Sequence, residues 1–306
     1  MTDQMFSTRT LPWTKLGTQI DTPVTAAEAA KLGGIDFTVS ARPVAFMTKK
    51  DGAPPRYTTV KDRKALVRDD TDEWMSIVSK DYPIVQYAEA FDFMDSVSPQ
   101  FVAAGSLRKG RQGFMVIQPN INITPFEEDP HTLYGVLRTS HDCSRAVEIM
   151  VMPIRGRCMN QMTLRSFTKG VEHRWTVVHA GDVKGKMLAA KESIARITEY
   201  ASAYVDNAQR LASVNISDET ATSTLRSVLP DRPTRDDVII KIVSNWHTRP
   251  ETVGFEGTGW GLVNAVSEYF DHDRTGGSPE SRFVAALQGQ THTAINKLTS
   301  RILSRH

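Results

Sequence analysis

Between residues 36 and 180 the apolar positions fall in short runs or in alternation, broken by Gly, Pro, Asn and Asp. That spacing is the signature of strands. It predicts strands at Phe37–Val39, Val44–Met47, Tyr57–Val60, Ile77–Val78, Phe101–Leu107, Gly113–Gln118, Leu133–Thr139, Val147–Met152 and His173–Val178. One helix interrupts them at Tyr87–Val97, where Ala90, Phe91, Met94 and Val97 mark a single apolar face. The piece Gly105–Gly110 joins two strands as a hairpin tip, from which Arg108, Lys109 and Arg111 would project. After Lys186 the period becomes helical. Ile194, Ile197, Ala201, Tyr204, Ala208 and Leu211 recur every three or four residues, predicting one long amphipathic helix over Met187–Leu211, which could also serve as a short coiled-coil seam. Further helices are expected over Asp218–Leu229 behind a Ser217 cap, Thr234–Trp246 after Pro233, Trp260–Phe270, Glu280–Leu287 and Thr291–Leu303. The expected fold class is α+β: a twisted antiparallel β-sheet with a packed helix over residues 1–186, then a helical module over 187–306.

The composition fits such a fold. Of 306 residues, 40% are apolar and 24% charged, and no run of about 18 apolar residues exists to span a membrane. The polar start with Asp3 and Arg9 lacks a secretory signal's apolar stretch, and two cysteines, Cys143 and Cys158, fit reduced thiols. A cytoplasmic address is expected. The net charge of +2 hides a dipolar chain. Residues 69–98 hold eight acids against one base, Lys80, whereas residues 138–186 hold nine bases against four acids.

Four stretches carry candidate chemistry. Arg138–Arg145 concentrates polar and reactive groups between two apolar strands, and Cys143 with His141 as base would make a nucleophilic pair. The alternative is a turn satisfied by His141, Asp142 and Ser144. His141, Asp142, Cys143, Cys158, His173 and His179 lack the short spacings of a zinc site, so no metal is expected. Gly254–Gly261 opens a helix and could offer N–H groups to a phosphate. It lacks the phosphate-loop lysine, however, and no cofactor is expected. Glu268 and His272, with Asn264 a turn before, form a polar stripe that is solvated or faces another module. The basic belt is broader. Arg138, Arg145, Arg155, Arg157, Arg165, Lys169 and Arg174, with the tip residues Arg108 and Lys109 and with His141, are the candidate nucleic-acid contacts. Arginine forks suit phosphate oxygens, and Tyr134, Phe167 and Trp175 offer stacking faces for unpaired bases. The opposing expectation is that these bases pair with the acidic stretch on a solvated surface.

Several segments together resemble one family. They are Pro12-Trp-Thr-Lys-Leu-Gly17, Thr25–Val39, Ile77-Val-Ser-Lys-Asp-Tyr-Pro-Ile-Val-Gln86 leading into Glu89-Ala-Phe91, and Thr139-Ser-His-Asp142. Pro153-Ile-Arg-Gly-Arg-Cys-Met-Asn160 and Gly261-Leu-Val-Asn-Ala-Val-Ser-Glu-Tyr-Phe-Asp-His272 complete the set. The chain resembles the phage and plasmid family catalogued as a domain of unknown function, DUF932. It departs from the family's usual threonine after Asn160, where Gln161 stands. The resemblance implies action in the cytoplasm on a replicating mobile element. A fold-level likeness to phage single-strand annealing proteins of the Rad52 and RecT type implies oligomers with a basic groove. The expected function is therefore non-catalytic binding of single-stranded DNA by a homo-oligomer, in recombination or replication. The alternatives are a Cys/His-dependent or nucleotide-processing enzyme and a factor that binds host proteins.

Overall fold

A computed structural model describes residues 4–8, 17–127, 129–155, 174–194, 197–249, 252–273 and 290–305. The strands are β1 (Gln4–Thr8), β2 (Thr18–Ile20), β3 (Val39–Thr48), β4 (Arg56–Arg68), β5 (Trp74–Ser79), β6 (Phe101–Leu107), β7 (Gln112–Ile117), β8 (Asn122–Phe126), β9 (Asp129–Ser140), β10 (Val147–Arg155) and β11 (Arg174–Val177). Helices α1 (Ala26–Leu32) and α2 (Tyr87–Asp95) lie among them. The helical part holds α3 (Val183–Ile194), α4 (Ile197–Ser213), α5 (Asp218–Val228), α6 (Arg235–Thr248), α7 (Gly259–Glu268) with a π-helical turn to Asp273, and α8 (Gln290–Leu303). The fold is α+β, a sheet followed by helices. The helix expected at Glu280–Leu287 lies outside the described residues.

The larger sheet runs β11-β10-β9-β7-β6-β1-β2, with β8 also on β9. Every pair in it is antiparallel except β1 with β2. Alternation sorts its side chains as the period-two pattern demands. Met115, Ile117, Leu137, Val147 and Ile149 pack with α1, α2 and α3 in one core, and Phe114, Val116, Tyr134, Val136, Met150 and Met152 form a second cluster. The third core belongs to the helices. Tyr204, Trp246, Trp260, Leu262 and Ile295 pack there and reach the sheet through Ile123, Leu133 and Val151.

The stretch expected as one helix over Met187–Leu211 is helical on both sides of residues 195–196, which lie outside the described residues, and its two ends serve different cores. Val183, Met187 and Ala190 of α3 join the core of α1 and α2, whereas Ile197, Tyr204 and Leu211 of α4 join the helical one. The boundary expected at residue 186 falls inside α3.

A smaller sheet, β3-β4-β5, stands apart from the larger one. Its root is held by a side chain: the Val39 N–H donates to Gln86 Oε1 at 3.0 Å and Gln86 Nε2 donates to the Val39 carbonyl at 2.8 Å. Gln86 is also the N-cap of α2, its own N–H donating to Glu89 Oε2 at 2.9 Å. Leu66, Met75 and Val78 anchor β4 and β5 in the core with α2. Beyond this root β3 and β4 continue as a two-stranded arm, broken once by a register irregularity near Val44. Ten and thirteen residues long, these strands extend well past the Val44–Met47 and Tyr57–Val60 segments read from apolar positions.

Candidate nucleic-acid interface

Strand register decides what the basic belt can reach. β9 and β10 set Glu148 directly opposite Arg138, and β10 and β11 bring Arg174 one register step away. Three arginines therefore converge on one carboxylate. Arg138 Nε lies 2.5 Å from Glu148 Oε2 and Arg145 Nη1 3.7 Å from the same oxygen, while Arg174 Nη2 takes Oε1. Burial opposes charge on Glu148, but Arg138 and Arg174 outweigh it and hold its pKa below the ordinary carboxylate value. Arg138 is buried, Arg145 half-buried, and only Arg174, at 41% side-chain exposure, opens to solvent.

Arg155 is deeper still, at 1% exposure. Its Nε donates to Asp129 Oδ1 at 2.7 Å and Oδ2 at 3.0 Å, and its Nη1 donates to Asn264 Oδ1 at 2.8 Å. Asn264 in turn donates to the Trp260 carbonyl at 2.8 Å. Beside them the buried His131 places Nε2 3.5 Å from Asp129 and Nδ1 2.8 Å from the Tyr204 hydroxyl. Burial disfavours the Asp129 carboxylate, yet His131 and Arg155 together hold its pKa below normal. This network clamps the sheet to α4 and α7, so Asn264 of the polar stripe faces the sheet, whereas Glu268 is buried and His272 exposed.

The expected groove must be corrected accordingly. Arg138 and Arg155 stand in the interior, where no phosphate reaches them, and Tyr134 is buried rather than offered for stacking. His141 is also interior. Its ring meets Tyr87 edge-on at 4.5 Å, its Nε2 has no hydrogen-bond partner among the described residues, and burial, with His179 adding, lowers its pKa to about 4. Arg157, Arg165, Lys169 and Phe167 lie outside the described residues.

The two members of the proposed nucleophile pair differ in burial, His141 being interior and Cys143 exposed. In a continuing strand residues 141 and 143 would share a side, but Cys143 adopts φ 59° in the β9–β10 turn and is exposed. Its Sγ lies 3.8 Å from Ser76 Oγ. Asp142 closes the turn by accepting the Ser144 N–H at 2.9 Å and the Ser144 hydroxyl, so the satisfied turn is what forms.

At the β6–β7 tip, Arg108, Lys109 and Gly110 have φ of 53°, 63° and 84°. This run of left-handed residues turns Arg108 and Lys109 into solvent. Arg108 Nη1 lies 3.9 Å from Asp142. The tip adjoins the smaller sheet, because Arg111 Nη2 donates to the Trp74 carbonyl at 3.2 Å and its guanidinium lies 5.0 Å over the Trp74 ring.

The arm is a basic feature outside the belt. From Arg42 to Lys64 it carries seven bases (Arg42, Lys49, Lys50, Arg56, Lys61, Arg63, Lys64) against Asp51 and Asp62. Near its end Met47 pairs with Tyr57 on one face and Phe46 with Thr58 on the other. Phe46 is 55% exposed and Tyr57 71% exposed, in a fold that buries most of its aromatics. Near the root, Arg42, Ala65 and Ile77 lie directly opposite one another on the outward face. Arg42 Nη2 is 3.3 Å from Asp69. Sequence reasoning missed the arm as a charged surface. Its signal is present as bases interleaved with Phe46 and Tyr57, but it sits upstream of the acidic stretch and cancels in the total.

Comparison with family models places the chain in a known family. The model of a family described as "Domain of unknown function (DUF932)" matches residues 74–300, from the first residue of β5 onward. The arm precedes that span. No curated protein and no solved structure matches, so the likeness to annealing proteins gains no support from a solved fold. Among the described residues no helix is long and apolar enough to cross a membrane.

Proposed function

The chain belongs to the DUF932 family, and from that premise we propose that it is a non-catalytic, single-stranded-DNA-binding homo-oligomer that serves recombination or replication of a mobile element in the cytoplasm. The observation that carries this reading is the arm: a solvated ribbon that, counted with its three-stranded root from Arg42 to Lys64, holds an excess of five positive charges and shows exposed aromatic rings. Bases neutralise phosphates, and a ring such as Tyr57 offers a stacking face to an unpaired base. Arg108 and Lys109, on the tip that adjoins β5, add exposed positive charge beside the arm's root. Annealing of this kind needs no bond-making chemistry. It needs phosphates held and base edges left free, and oligomerisation supplies the length that a few nucleotides per subunit cannot.

The test is fluorescence anisotropy on single-stranded and duplex oligonucleotides across a salt series, for the wild type, a Lys61→Ala/Arg63→Ala double variant and Tyr57→Ala. The double variant should weaken binding and flatten the salt dependence by roughly 0.7 log units per lost phosphate contact on single strands. Tyr57→Ala should cost about 1–3 kcal/mol on single strands and little on duplex. Flat titrations at low salt, or arm variants that bind like the wild type, would overturn the reading.

A further inference from the structure

Beside the root of the arm lies a groove of about 530 Å³ between α2 and α3. Ile84, Phe93, Met187 and Leu188 make its apolar lining, and Leu188 is 60% exposed. Glu89, Asp92 and Asp182 stand on its rim, with Lys184 and Lys191 on the α3 side. Lys184 Nζ lies 3.6 Å from Glu89. Along α2, Glu89, Asp92 and Asp95 recur every third residue, and the helix carries no base. A negative stripe therefore borders an open apolar trough.

The apolar floor and the acidic α2 side suit an occupant that is apolar and basic together, and one element of this chain is both. Of the large apolar side chains that the described fold leaves exposed, Phe46, Met47 and Tyr57 lie near the arm's end. Lys49, Lys50 and Arg56 flank them. Thr48 pairs with Arg56 and Phe46 with Thr58, which puts Phe46 and Arg56 on the same face of the ribbon. The arm does not fill its own groove, since Phe46 is exposed to solvent. Seven residues beyond Val39, at ~3.3 Å per residue, Phe46 stands about 23 Å from a root pinned to Gln86. That root immediately follows Pro83, Ile84 and Val85 of the groove lining.

We propose that the arm of one copy docks its Phe46 face into the α2–α3 groove of a second copy, with Arg56 against the Asp92 and Glu89 carboxylates. The inference rests on the oligomer part of the function above and supplies its surface. The Met47 and Tyr57 face stays outward, so the same arm keeps a face for unpaired bases. Contact between unlike patches closes rings or propagates chains according to the angle between copies.

The experiment is sedimentation velocity and mass photometry without nucleic acid, on the full chain across a concentration series. The variants are Phe46→Glu and Arg56→Glu on the arm and Leu188→Glu and Asp92→Lys on the groove, all at exposed positions. Wild type should associate, and each variant should dissociate with a Kd at least about tenfold higher, the scale of one lost interface anchor. Mixing Phe46→Glu with Leu188→Glu should restore association, because the first keeps an intact groove and the second an intact arm. A wild type that stays monomeric overturns both the docking and the oligomer, leaving the nucleic-acid titrations to stand separately. A wild type that associates while the variants do so equally, or a mixture that stays monomeric, overturns the docking alone.

Discussion

Replacing Arg155 with Ala separates an arginine that holds the fold from one that meets a ligand. The guanidinium makes three short hydrogen bonds, two to Asp129 and one to Asn264, at 1% exposure. Bonds to charged groups are worth roughly 1.5–3 kcal/mol each, but these three share one group and do not add. The greater penalty comes from the Asp129 carboxylate left behind, itself at 1% exposure with His131 3.5 Å away. Breaking one side of a buried pair costs about 3–5 kcal/mol. Urea unfolding monitored by tryptophan fluorescence should show that loss, and the melting temperature of a chain of 306 residues should fall by roughly 5–8 °C. The pH dependence carries an independent signature. In the wild type the folded pKa of Asp129 is depressed, so its stabilisation is present at neutral pH and is lost as pH falls through that folded value. Without Arg155, burial dominates and favours the neutral acid, so the variant's deficit should shrink toward acid pH. A loss below about 1 kcal/mol would refute the clamp. So would a folded variant that loses one phosphate contact from its salt dependence while keeping wild-type stability.

His141 predicts acid sensitivity at a higher pH. Its folded pKa of about 4 lies below its ordinary value of 6.5, so its contribution is complete above pH 6.5 and drains away between 6.5 and 4. The span is worth about 3 kcal/mol, and a His141→Gln variant that unfolds should do so with a flatter pH profile; an unchanged slope would sink the assignment. Gly113 sits where an added Cβ would lie 2.5 Å from Tyr87 Cε1, on a ring whose hydroxyl already donates to the Gly110 carbonyl. Gly113→Ala should therefore destabilise by about 1–3 kcal/mol in thermal unfolding, through overpacking. Cys143→Ala should leave stability within about 0.5 kcal/mol and DNA affinity unchanged. A loss of affinity or of any turnover there would reopen the Cys143 and His141 reading.

The strand and helix succession is legible in the sequence because each element buries one regular face. Phe101–Leu107, Leu133–Thr139 and the Ser217-capped helix are found almost where the periodicity puts them. Ser217 accepts the Thr220 N–H at 3.2 Å. The arm is legible only in part, since its ends bury almost nothing and apolar pattern marks just the residues that pack. The long helical stretch is legible as helix but not in its packing: a three-four period persists through α3 and α4, yet says nothing of which core each turn faces. The candidate site is harder again. A run of arginines has the same composition whether its members face water or a carboxylate on the next strand, and the partners of Arg138 and Arg155 are ten and twenty-six residues away.

That distance decides where positive charge remains available to a partner. In the belt, register places Glu148 opposite Arg138 and within reach of Arg174, and Asp129 takes Arg155. Much of the arginine excess of 138–186 that lies among the described residues is thus answered at close range, by acids in the belt or, as with Asp129, just outside it. The arm has no such answer near its end, where Lys49, Lys50 and Arg56 accompany Asp51 alone. Paired interior charge contributes little field beyond its own pair, whereas unpaired exposed charge acts over about 8–10 Å at physiological salt. On the proposed function, the field that would steer an anionic partner originates at the arm, with the acidic stripe of α2 beside its root as a competitor for it. Nucleic acid and a neighbouring copy would then engage opposite faces of one ribbon, drawn by the same charges. Raising the salt should weaken both contacts together, while Phe46→Glu and Tyr57→Ala should separate them.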